Sequence, residues 1–102
     1  MIKLIASDMD GTLIRSDHKI SEKNRAAIKA AQQKGIEFII TTGRSYEDAF
    51  PQVQTAGIEC NYLVMNGSEL RNHRGEIIQS LYLTEALVRR IVSELEQEHM
   101  FV

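Results

Sequence analysis

Short apolar runs alternate along this chain with stripes of helical period, and that alternation predicts the fold. Ile2, Leu4, Ile5 and Ala6 form a nearly continuous apolar run, the pattern of a strand buried on both faces. A polar connection, Gly11–Ile20, follows; it is longer than the usual strand-to-helix loop, and such loops often carry function. Ser21 is placed to cap a helix over Glu22–Lys34, with Ala27, Ile28 and Ala31 on its inner face and Gly35 as its stop. Ile36–Thr41 repeats the strand pattern. Ser45 and Asp48 open a second helix as a capping box, Pro51 is expected to kink or re-start it, and Gly57 ends it.

Tyr62–Met65 reads as a third strand. A hairpin comes next, with Glu69-Leu70 and Glu76-Ile77-Ile78 on either side of the turn Asn72–Gly75. Thr84 caps a last helix whose Leu87, Val88, Ile91, Val92 and Leu95 form one stripe. Met100-Phe101-Val102 looks like the start of another strand. Strand, helix, strand, helix, strand implies a parallel α/β sheet with right-handed crossovers. Ligands of such sheets bind beyond the C-terminal strand ends, and three of those ends are polar here: Asp8/Asp10, Thr42/Gly43 and Asn66/Gly67.

Composition narrows the classes. The 102 residues, with 12 Lys plus Arg against 14 Asp plus Glu, fit one modest, slightly acidic domain. No basic stripe points to nucleic acid and no polybasic or long apolar run to a membrane. The first strand begins at once, so no signal peptide is expected. Cys60 is the single cysteine, which excludes an internal disulfide and a thiolate metal cluster and suits a reducing cytoplasm. His18, His73 and His99 sit in polar contexts and are expected to face solvent.

The chemistry concentrates where the first run ends. Asp8, the last strand residue, is a carboxylate able to attack phosphorus and form an aspartyl-phosphate. Asp10 is two residues on, suited to protonate a leaving oxygen and then deprotonate water. Two carboxylates beside a phosphate repel it by about 4 kcal/mol per unit-charge pair at ~4 Å and an effective dielectric of ~20. Mg²⁺ with oxygen ligands is the natural counter-charge. Gly11 lets the backbone turn so that N–H groups face phosphate. Thr42 adds a hydroxyl, and the helix start after Gly43 adds the positive end of a dipole. Each part alone has a plainer reading: Asp10-Gly11 as a turn, Thr42-Gly43 as a helix cap, Asn66-Gly67 as the hairpin's opening, Arg44 as a solvated helix arginine rather than a phosphate contact. The run D-x-D-G-T-L after an apolar strand is what favours phosphate chemistry.

Asp8-Met9-Asp10-Gly11-Thr12-Leu13, Ile40-Thr41-Thr42-Gly43-Arg44 and Met65-Asn66-Gly67 together resemble the N-terminal part of a haloacid dehalogenase-like phosphatase of the Cof type. The resemblance implies a Rossmann-like, three-layer α/β core over residues 1–79, incomplete, with the start of a cap domain over 80–102. It also implies that Asp8 is nucleophile and Mg²⁺ ligand. Asp10 would be acid/base, with its carbonyl on the metal. The Met9 backbone, Thr42 and Gly43 would hold phosphate, and Asn66 would lie near the substrate, a small phosphorylated metabolite. Ser68 stands where the family usually has Ala. The family's later lysine and second acidic pair have no counterpart: no lysine follows Asn66. The chain is therefore expected to be a fragment, its exposed first-strand edge open to self-association. Two other readings compete, a non-catalytic module that keeps the fold and a receiver-like phospho-acceptor domain.

Overall fold

The computed structural model describes residues 1–99; the strand expected at Met100–Val102 lies outside them. Its elements are β1 (Leu4–Asp8), α1 (Glu22–Gln33), β2 (Glu37–Thr41), α2 (Tyr46–Thr55), β3 (Asn61–Val64), a 3₁₀ turn (Met65–Gly67), β4 (Glu69–Arg71), β5 (Ile77–Ser80) and α3 (Glu85–Gln97). One five-stranded sheet runs β1-β2-β3-β4-β5. The first three strands are parallel, with Asp8 beside Thr41 and Ile40 beside Tyr62. The hairpin joins the same sheet antiparallel, so the sheet is mixed rather than purely parallel. The architecture is α/β and Rossmann-like.

The helix ends follow local chemistry. Ser21, Ser45 and Thr84 each accept a backbone N–H three residues on, from Asn24, Asp48 and Leu87, as N-caps do. Gly35 (φ 81°) and Gly57 (φ 72°) end α1 and α2. Behind each glycine the chain closes a Schellman motif, Ile36 N–H to Ala31 O at 3.1 Å and Ile58 N–H to Val53 O at 3.3 Å. α2 neither stops nor re-starts at Pro51; it runs through it as one helix. The hairpin turn is held by Asn72, whose Oδ1 accepts from Arg74 N and Glu76 N at 2.9 and 3.0 Å.

Strand alternation sorts the side chains. Phe38, Ile40, Tyr62 and Val64 point to one face, where they form a core with Ile28 of α1 and Ala49 and Val53 of α2. Leu4, Ala6, Ile39, Leu63 and Leu70 point to the other, where no helix packs among the described residues. Two of the three expected layers are therefore formed. β1 is one of the two edge strands, β5 being the other, and one of its faces is bare, which corrects the expectation that it is buried on both faces. It spans Leu4–Asp8 rather than Ile2–Ala6, and Leu4 is 55% exposed. An apolar run signals burial only when neighbours exist on both sides, and here only β2 adjoins it.

β4 carries a buried carboxylate, Glu69. It accepts hydrogen bonds from Arg71 Nε at 2.8 Å and from the Tyr82 hydroxyl. Arg71 in turn lies over the Tyr46 ring, 5.1 Å from its centroid. Tyr82 belongs to the segment leading to α3, and the neighbouring Leu81 N–H donates to Ser68 O at 2.8 Å. Beyond this anchor α3 projects with Leu87, Val88, Ile91 and Val92 exposed, and the molecule measures 53 × 30 × 25 Å.

Candidate active site

The first strand end is shaped by an apolar plug. The Met9 side chain is fully buried, and Leu13 and Ile14 are buried beside it. The Met9 carbonyl accepts three N–H groups, from Thr12, Leu13 and Ile14, at 3.2, 3.0 and 2.8 Å. Gly11 makes the reversal at φ 75°, a conformation that costs an L side chain about 1–2 kcal/mol per residue. With Met9 and Leu13 inside, Asp8 and Asp10 are left outside. The spelling of the motif thus places apolar residues where they anchor the turn and acids where they meet solvent.

The second and third strand ends are stitched to each other. Asn66 N–H donates to Thr42 O at 3.1 Å, and Met65 N–H to Arg44 O at 2.9 Å. Three residues in succession, Met65, Asn66 and Gly67, are left-handed, with φ of 51°, 56° and 93°. The Asn66 side chain comes so close to Gly43 that a Cβ there would lie 3.0 Å from Oδ1. That approach explains the glycine. Thr42 is buried, and its Oγ1 accepts the Arg44 N–H at 3.1 Å; its own O–H has no acceptor among the described residues.

Asp8, Thr41, Thr42, Gly43, Leu63, Asn66 and Gly67 line an open hollow of about 300 Å³. Four of the residues expected in the site, Asp8, Thr42, Gly43 and Asn66, meet there. Asp8 makes no ion pair among the described residues, and its Oδ2 lies 3.5 Å from the Thr12 hydroxyl. Met9 and Gly11 lie outside the lining. The first turn of α2 is also outside it, starting three residues past Gly43 and capped by Ser45. A larger groove of about 540 Å³ lies between His18–Ile20 and α2, but no strand-end carboxylate lines it.

Asp10 also lies outside the lining. Its carboxylate is turned to Arg44, which donates from Nε to Oδ2 at 2.8 Å and from Nη2 to Oδ1 at 2.6 Å. The hydrogen bond from Arg44 is the main reason the Asp10 carboxyl is held below the usual range. Arg44 is therefore no solvated helix arginine. It precedes α2, is 26% exposed, and also reaches Gln52 Oε1 at 3.3 Å. The contact spans 34 residues, so no local pattern announces it. Thr12 is the other residue that sequence reasoning left out of the site, although it is spelled within the motif itself.

Asp8 and the Asp10 carbonyl are hard oxygen donors, the ligand type Mg²⁺ takes, and one or two carboxylates with phosphate and water suffice for it. An unpaired carboxylate at an open strand end fits that role. No cluster of three or more acidic, His or Cys side chains suited to a metal occurs among the described residues.

The sequence model of a family described as haloacid dehalogenase-like hydrolase matches residues 5–102. Phosphatase YwpJ of Bacillus subtilis is 33% identical over 100 residues, covering 98% of this chain and 35% of that protein. The HMP-PP phosphatase of Serratia proteamaculans is 29% identical over 92 residues, 90% of this chain and 34% of its own. The solved structure of a haloacid dehalogenase-like hydrolase from B. subtilis superposes with a TM-score of 0.85 at 34% identity, over 96% of this chain and 34% of that one. A phosphatase of the same superfamily from Bacteroides thetaiotaomicron gives 0.86 at 26% identity, over 97% and 37%. The chain spans about a third of the length of the relatives it matches.

Proposed function

Because this chain belongs to the haloacid dehalogenase-like hydrolase family, we propose that it acts on small phosphomonoesters, with Asp8 as nucleophile and Mg²⁺ as cofactor. The observation that carries the reading is the shared hollow: Asp8 opens into the same space as Thr42, Gly43 and Asn66. Asp8 attacks phosphorus as the ester P–O bond breaks, and Asp10 gives its proton to the departing oxygen. Water then attacks the aspartyl-phosphate, losing a proton to Asp10, and inorganic phosphate leaves with Asp8 restored. Thr42 donates its free O–H to a phosphate oxygen. Gly43 keeps that wall low enough for the anion to approach. Asn66, whose side chain lies against Gly43, offers amide donors from the same rim. Asp8 and the Asp10 carbonyl would hold Mg²⁺, which supplies charge neutralisation between carboxylate and phosphate.

Hydrolysis of an aryl phosphate by the 102-residue chain, with and without Mg²⁺ and beside Asp8→Asn, tests this. Mg²⁺-dependent turnover that disappears in the variant is expected. Turnover no greater than the variant's would overturn hydrolysis by this chain.

A further inference from the structure

Arg44 is rooted in the wall of the hollow while its tip lies on Asp10. Its backbone is fixed on both sides, N–H on Thr42 Oγ1 and carbonyl under Met65 N–H. The preceding residue, Gly43, lines the hollow. The guanidinium grips both oxygens of Asp10, a fork geometry that suits phosphate equally well. The proposed acid/base therefore rests with its carboxylate engaged, and it must be released before it reaches a leaving group. We propose that Arg44 is a positioning residue: it holds the Asp10 carboxylate out of the hollow while no anion is bound, and a phosphate beside Gly43 draws the guanidinium away and frees Asp10 to turn in. This rests on the functional reading above.

The energetics permit the exchange. Asp10 is 56% exposed, so water competes for its carboxylate and screens its attraction to Arg44. A phosphate dianion outbids one carboxylate for the same fork. Release needs no backbone change, because the stem already starts at the hollow's edge. Gln52 Oε1, at 3.3 Å from Nη1, is a neutral partner and adds no charge that would hold the guanidinium against a phosphate. A ligand shifts such an equilibrium only by its preference for one state, and the preference here comes from the extra negative charge.

The test is an NMR titration of the 102-residue chain with inorganic phosphate, Mg²⁺ in the buffer, following backbone amides and the Arg44 Nε–H. Phosphate is expected to move the Asp8, Gly43 and Gly67 amides together with the Arg44 Nε–H and the Asp10 carboxyl carbon. Asp10→Asn should tighten phosphate binding, and that gain should shrink by about two- to fivefold, the worth of an exposed ion pair, when Arg44→Gln is also present. A pair that only braces the loop would leave the Nε–H unmoved and the gain equal in both backgrounds, which overturns the positioning role alone. Phosphate that leaves the hollow's amides unmoved would overturn the functional reading and this one with it. The Nε–H measurement needs no variant, so a variant that fails to fold does not decide the question.

Discussion

Gly43 shows how one missing methyl group shapes the candidate site. A Cβ there meets Asn66 Oδ1 at 3.0 Å, so Gly43→Ala pushes the Asn66 side chain off the rim. Its backbone needs no left-handed freedom, so the substitution is expected to cost little stability and much phosphate binding. Phosphate titration beside thermal melting separates the two, and equal binding by the variant would count against a role for the Gly43–Asn66 wall. Cys60 makes the opposite case, a residue with chemistry and no access. Burial pushes its thiol up to about 12, against a free thiol near 8.5. The folded chain therefore keeps its proton where the unfolded chain loses it, so this group favours unfolding as pH rises above about 8.5. Alkylation at neutral pH is expected to be slow and to follow global unfolding. Fast labelling of the native chain would contradict that burial. Sequence spelling could point to Asp8, Thr42, Gly43 and Asn66 because Asp8 ends β1 and the others follow β2 and β3 within two residues. It did not reveal Arg44, whose partner is brought near only by the crossover between β1 and β2.

The helices and the hairpin carry their instructions locally, which is why Ser21, Ser45, Thr84, Gly35, Gly57 and the Asn72–Gly75 turn all fall where their residue types require. Gly75 has two reasons to be glycine: φ is 82°, and a Cβ would meet the Tyr46 ring at 2.9 Å. Gly35 has the first reason only, with open space around it. Gly35→Ala should cost about 1–2 kcal/mol, and Gly75→Ala more. Urea denaturation gives the order, and an equal loss would mean that the Tyr46 ring yields freely. Glu69 ties the hairpin to the root of α3. The Tyr82 hydroxyl first, then Arg71, holds its carboxyl below the usual glutamate range. A lowered folded value means stability present above the ordinary range and lost as pH falls through the folded one. Amide protection in β4 and β5, taken relative to the intrinsic exchange rate at each pH, should accordingly fall on acidification, and Tyr82→Phe should flatten that response. A hairpin whose protection ignores both would show that the latch contributes nothing. Met65 was read as strand and is left-handed instead, because Arg44 O captures its N–H; no feature of the residue itself foretells this.

At the scale of the molecule, one sheet face and both sheet edges, β1 and β5, lack a neighbour among the described residues. Leu4, Ala6, Ile39 and Leu63 on that face, with the apolar stripe of α3, are surfaces that drive association. Concentration-dependent self-association is expected in sedimentation experiments, and Leu4→Lys should reduce it; a strictly monomeric chain at high concentration would refute this. The alternation of elements was legible in the sequence because periodicity is local. Which face stayed bare was not, since a run such as Leu4-Ile5-Ala6 reads the same at a sheet's centre and at its rim. The radius of gyration, 17.0 Å, exceeds the roughly 13 Å of a compact chain of about 100 residues, and the excess lies in the projecting α3. That projection has a mechanical side. The helix is a lever arm about 13 residues long, and its pivot is the pair of bonds Leu81–Ser68 and Tyr82–Glu69. The pivot sits one and two residues from Gly67. Any force on the arm therefore meets the chain next to Asn66 and Gly67, which line the hollow, at the far side of the sheet from the strand that bears Asp8.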